Sequence, residues 1–236
     1  MHKNQDFKRI EAQQTQRGSV LIWIFVMIAI LSALYFVVSS GFRAGETNLS
    51  EERVELYATE ILDYAQSVKQ AVQTLQINGC SDEEISFESN SNSGYTNPNA
   101  PADNSCHVFH PSGGGLTWLK NTGGIGGFIE ATGRVRVYEV GSDLNSELLF
   151  RWWDIDENIC TAINEKVGLT GTSLTPPGAG GNTCPTSGGT CEFVGAYNQT
   201  HNIDNAANEF HSKTIGCYDE NSTGTRNVFY QVLIAR

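Results

Sequence analysis

Hydrophobic and polar positions fall into blocks of different period along this chain. From Val20 to Val38 the sequence runs 19 residues without a charge, interrupted only by Ser32 and Tyr35. A helix of that length spans about 28 Å, near the hydrocarbon thickness of a bilayer, and a helix satisfies its own backbone in lipid. The block predicts a transmembrane helix over residues 19–40. Gly41 and Gly45 then mark a softer, polar stretch, and Ser50 offers an N-cap with Glu51 and Glu52 in the first turn. Apolar residues next recur every three or four positions at Val54, Ala58, Ile61, Ala65, Val68, Val72 and Leu75. That spacing predicts an amphipathic helix, stopped by Asn78-Gly79.

Residues 80–127 show little period, and Ser89–Asn104 reads as loop. Alternation resumes in Arg134–Val140 and predicts a half-buried strand, followed by a turn over Gly141–Ser146 and a second strand, Glu147–Ile155. The two form an antiparallel hairpin. Asp156 caps a short helix over Glu157–Val167, whose apolar Ile159, Ala162, Ile163 and Val167 share a face, and Gly168 ends it. A Gly/Pro/Thr-rich loop fills residues 170–190. Lys213–Tyr218 and Asn227–Ala235 give a closing hairpin. The expected fold is α+β: a long N-terminal helix, one half in the membrane and one half amphipathic, packed on an antiparallel sheet.

Charge is divided unevenly. Residues 1–18 hold Lys3, Lys8, Arg9 and Arg17 against Asp6 and Glu11; removing these from the chain's 15 cations and 26 anions leaves the rest at −13. A basic flank before an apolar run and an acidic body after it predict a cytoplasmic N-terminus and an exported body. The acidic balance argues against nucleic acid as a partner. All six cysteines follow the apolar run: Cys80, Cys106, Cys160, Cys184, Cys191 and Cys217. An even count there predicts three disulfides formed in an oxidising compartment. Cys80 and Cys106 close one loop. Cys184 and Cys191 can staple another, which pairs Cys160 with Cys217, although four cysteines permit three pairings.

Arg17-Gly18 followed at once by a long apolar helix resembles the leader of type IV pilins and type II secretion pseudopilins. The resemblance covers residues 1 to about 77. It implies cleavage after Gly18 by a prepilin peptidase, methylation of the new N-terminus at Ser19, and assembly through the helix that begins Ser19, Val20, Leu21, Ile22 and Trp23. It also implies other pilins or pseudopilins as partners, an inner-membrane assembly platform, and a single pass of the bacterial inner membrane with the head in the periplasm or on a filament. The domains expected are a leader (1–18), an assembly helix (19–40), its amphipathic continuation (41–79) and a disulfide-containing head (80–236). Ser19 stands where the family usually has an apolar residue. Trp23 stands where most members carry a Glu that neutralises a neighbouring subunit's terminal ammonium, which points to a minor or initiating subunit. The implied function is therefore a structural subunit of such a filament. The alternative is a signal-anchored periplasmic binding module that does not assemble; Val38-Ser39-Ser40 would also pass as the cleavage site of an ordinary secretory signal.

Candidate chemistry is sparse. No G-x-S-x-G elbow, H-E-x-x-H helix or phosphate-binding loop occurs, and His201 and His211 lie in polar sequence, so no enzyme is expected. His107 and His110 lack a nearby carboxylate. Asp154-x-Asp156-x-Asn158 begins like a calcium loop, but Ile159 occupies the position that needs Gly. Neither a metal nor a cofactor is expected.

Overall fold

The computed structural model describes residues 5–92, 94–119, 127–142, 146–169, 191–198, 201–203, 209–220 and 226–236, with side chains over the first fifty residues described for 22–32. Two compact units divide the chain, residues 1–53 and residues 54–236.

Helix α1 covers Gln5–Ile77. It runs through Gly41, Gly45 and Ser50 without the expected break and new start, and Gly79, at φ 99°, turns the chain beyond its end. In the second unit α1 contributes Ala58, Ile61, Ala65, Val68, Val72 and Leu75 to the main core, all fully buried. These are members of the stripe that the three-and-four spacing picks out, because one face of a helix repeats every 3.6 residues.

Among the described residues five strands follow: β1 (Ile129–Val137), β2 (Glu147–Ile155), β3 (His201–Ile203), β4 (Ile215–Asp219) and β5 (Asn227–Ile234), with α2 (Glu157–Lys166) after β2. Their order in the sheet is β3-β1-β2-β5-β4. β1 with β2, β2 with β5 and β4 with β5 are antiparallel, whereas β3 runs parallel to β1.

One face of the sheet, with Ile129, Ala131, Leu148, Phe150, Trp152, Phe229 and Leu233, shares a core with α1, and Tyr64 meets the Phe150 and Trp152 rings edge-on at 5.7 and 6.0 Å. The opposite face, with Val135, Val137, Leu149, Trp153, Val228, Tyr230 and Val232, packs under Leu169, Cys191 and Phe210. Both faces are buried, so β2 and β5 are almost continuously apolar.

Two irregularities set which residue faces which core. Between Thr132 and Val135 the register of β1 shifts, moving Val135 and Val137 to the face opposite Ala131. A second shift, between Trp152 and Ile155, carries Asp154 at φ 54° and returns Ile155 to the α1 side. A one-residue insertion reverses the two-residue alternation of a strand, which is the effect seen at both places.

Three expectations need correction. The sheet is mixed rather than antiparallel, because a three-residue strand from the loop after Cys191 joins its edge in parallel. No long helix lies along it: only the part of α1 from Val54 onward belongs to the sheet's unit. Among the described residues no helix is long and apolar enough to cross a membrane, which overturns the transmembrane helix and the single-pass inner-membrane location. Strand boundaries also moved: β1 starts five residues before Arg134 and ends at Val137, two residues before Glu139 takes a left-handed φ of 59°.

Candidate functional site

Two places concentrate chemistry, one in each unit. In the first unit, every described side chain of α1 from Ile22 to Ser32 is exposed. Ile22 is 65% exposed, Trp23 67%, Phe25 68% and Leu31 65%, and Ile24, Val26, Met27, Ile28 and Ile30 are open as well. Successive residues are about 100° apart around a helix, so this surface is apolar on every side rather than along a stripe. Ser32 donates its hydroxyl back to Ile28 O at 2.8 Å and adds no outward polarity. Of the residues singled out from sequence, Trp23 and Ile22 belong to this surface. The side chains at Gly18, Ser19, Val20 and Leu21 lie outside the described residues.

In the second unit the α1-distal face of the sheet holds a buried charge cluster. Glu130, Arg151 and Tyr230 stand opposite one another across β1, β2 and β5. Arg151, 2% exposed, donates from Nη2 to Glu130 Oε2 at 2.6 Å, and Trp153 Nε1 donates to the same oxygen at 2.9 Å. The Arg151 guanidinium also lies 4.6 Å from the centre of the Trp153 ring, Arg226 lies 4.7 Å from it, and Phe128 stacks on it at 5.4 Å. Arg226 Nε in turn donates to Asp154 Oδ1 at 3.1 Å.

Burial pulls Arg151's pKa down, but Glu130 and Tyr218 act against it and the net shift is upward, so the guanidinium stays charged. Burial pushes the Tyr218 hydroxyl up to about 12, where it stays protonated. Glu220 is also buried and is pushed up to about 7, by burial more than Arg151 and Arg226 lower it. A charge pair of this kind holds a register well and is costly to break from one side.

At the start of β2 a second buried carboxyl fastens the irregular part of β1. Glu147 Oε2 accepts from Val137 N at 2.7 Å, and the neighbouring Ser146 hydroxyl donates to Gly133 O at 2.6 Å. Burial pushes Glu147 up to about 7. Gly133 leaves room there: a Cβ would stand 2.8 Å from the Phe193 ring and 2.9 Å from Ala196 O.

Disulfides join Cys80 to Cys106 and Cys160 to Cys217, two of the pairings expected. The expected Cys184–Cys191 pair involves Cys184, which lies outside the described residues. Asp156 caps α2 as expected, its Oδ1 accepting from Asn158 N at 2.9 Å. Asp154 and Asp156 are thus both committed to nearby donors. Among the described residues no three of His, Cys, Asp and Glu converge as metal ligands. His107 and His110 meet ring to ring at 6.3 Å, and burial holds His107 below its usual pKa.

Sequence reasoning missed Glu130, Arg151, Glu147 and Asn164. The signal for Arg151 was available: a single charge inside the apolar run ELLFRWWDI is a buried charge with a partner to find. Asn164 carries no such mark.

No protein-family model, curated protein or solved structure matches this chain.

Proposed function

We propose that the chain is a structural, non-catalytic subunit of a helix-assembled filament of the type IV pilin or type II secretion pseudopilin kind. Its apolar helix packs among the helices of other subunits, and its acidic, disulfide-braced head is presented at the surface of the assembly. A prepilin peptidase cuts after Gly18 and leaves Ser19 as the methylated N-terminus. Trp23, lacking a carboxylate, suits a minor or initiating subunit.

The observation that carries this reading is the run Ile22–Leu31, in which nine large apolar side chains are exposed. Soluble proteins rarely leave a patch of that size uncovered unless it meets a partner. Burying a fully exposed side chain of this kind is worth about 1.5–3 kcal/mol, and these nine are about half to two-thirds exposed, so covering them all yields of order 10–15 kcal/mol before the costs of association. A surface apolar all round needs neighbours on several sides, which a bundle of helices supplies and a single docked partner does not.

Mass spectrometry of the protein purified from its native host tests the reading. A mature chain that begins at Ser19 with an N-methyl group is the expected result, with processing abolished by Gly18→Val. A chain that retains Met1, or one that starts at Gly41 and has shed the apolar run, rejects it.

A further inference from the structure

β4 lies at the end of the sheet, so among the described residues one side of its backbone has no strand beside it. Val232 N donates to Thr214 O at 2.7 Å and Glu220 N to Arg226 O at 3.0 Å, while Gly216 and Tyr218 stand opposite Tyr230 and Val228. The even-numbered residues therefore turn their backbone groups toward β5, and alternation turns those of Ile215, Cys217 and Asp219 toward the open edge. At the centre of that edge the amide of Asn164 takes both groups of Cys217. Asn164 Nδ2 donates to Cys217 O at 2.7 Å, and Cys217 N donates to Asn164 Oδ1 at 2.8 Å.

A primary amide carries the same donor and acceptor as a peptide unit, so Asn164 fills the place of a residue on a further strand. One helical turn earlier Cys160 is bonded to the same Cys217, and both cysteines are fully buried. Lys166 holds the far end of α2 to Glu55 of α1. An open edge needs such cover here: β5, NVFYQVLI, has no charge and is rich in strand-forming residues, and it already pairs with β4 from the other side.

We propose that α2 is a latch that keeps the β4 edge from pairing with an extended strand of a second copy of this chain, Asn164 being the contact that occupies the edge. The proposal concerns the head alone and stands or falls apart from the filament reading. A labelled peptide with the β5 sequence, followed by fluorescence anisotropy, is titrated into three full-length chains: the native protein, Cys160→Ala/Cys217→Ala, and that double variant with Asn164→Ala added.

The native chain is expected not to bind. The triple variant is expected to bind about tenfold more tightly than the double, the factor that two lost hydrogen bonds of the latch represent. Equal binding by the double and triple variants, or binding by the native chain, overturns the proposal. Should circular dichroism show that the bridge-free chains do not fold, hydrogen exchange of Asn164→Ala with the disulfide intact decides. The Cys217 amide should then exchange about tenfold faster, with Gly216 and Tyr218 changing by less than about threefold. No change, or equal acceleration at all three, overturns it.

Discussion

Glu147 and Glu220 are the residues at which solution conditions reach the interior. Each is buried, and each is pushed up to about 7 from an ordinary value of 4.5. A carboxyl whose pKa is higher folded than unfolded binds its proton more tightly in the folded state. Its contribution is therefore whole below pH 4.5 and is lost as pH rises through about 7. The head should lose of order 2 kcal/mol of stability between pH 5 and 8, read as a falling urea midpoint. Glu147→Gln/Glu220→Gln should flatten that slope, and an unchanged slope would show the two carboxyls to be spectators. At this scale the sequence was partly legible. The Asp156 cap could be read because its signal is local, an acidic residue just before an apolar helical pattern. Glu130 carried no local signal, because the guanidinium that justifies its burial lies 21 positions away on β2.

Among elements, the amphipathic part of α1 could be read from its period alone. Ile61 is fully buried and Leu56 is 60% exposed on the same helix. Ile61→Ala should therefore cost about 2–5 kcal/mol, and Leu56→Ala less than about 0.5 kcal/mol, in chemical denaturation. Similar losses from both would mean that the stripe does not face the core. The hairpins β1–β2 and β4–β5 were legible for the same reason, since their partners are neighbours in sequence. β3 was not: three residues, His-Asn-Ile, carry no period, and their parallel partner lies over sixty positions earlier. The shifts at Thr132–Val135 and near Asp154 were also hidden, because an inserted residue reads in sequence only as a fault in the alternation. Asn164 belongs to this scale too, as the side chain through which a helix closes the edge of a sheet.

For the whole molecule, the composition and the cysteine positions gave the broad character of the head, two of whose disulfides tie α1's end to a loop and α2 to β4. The long uncharged run in the sequence pointed to a membrane. Among the described residues no helix is long and apolar enough to cross one; Ile22–Leu31 is an exposed apolar surface, and the proposed assembly rests on it. Sedimentation velocity of the full chain over rising concentration in detergent-free buffer, beside Ile24→Ser/Phe25→Ser/Ile28→Ser, tests this most directly. The account predicts a native chain that forms oligomers as concentration rises and a variant that stays monomeric with its head folded. A native chain that remains monomeric throughout, or a variant that associates as strongly as the native one, would contradict it.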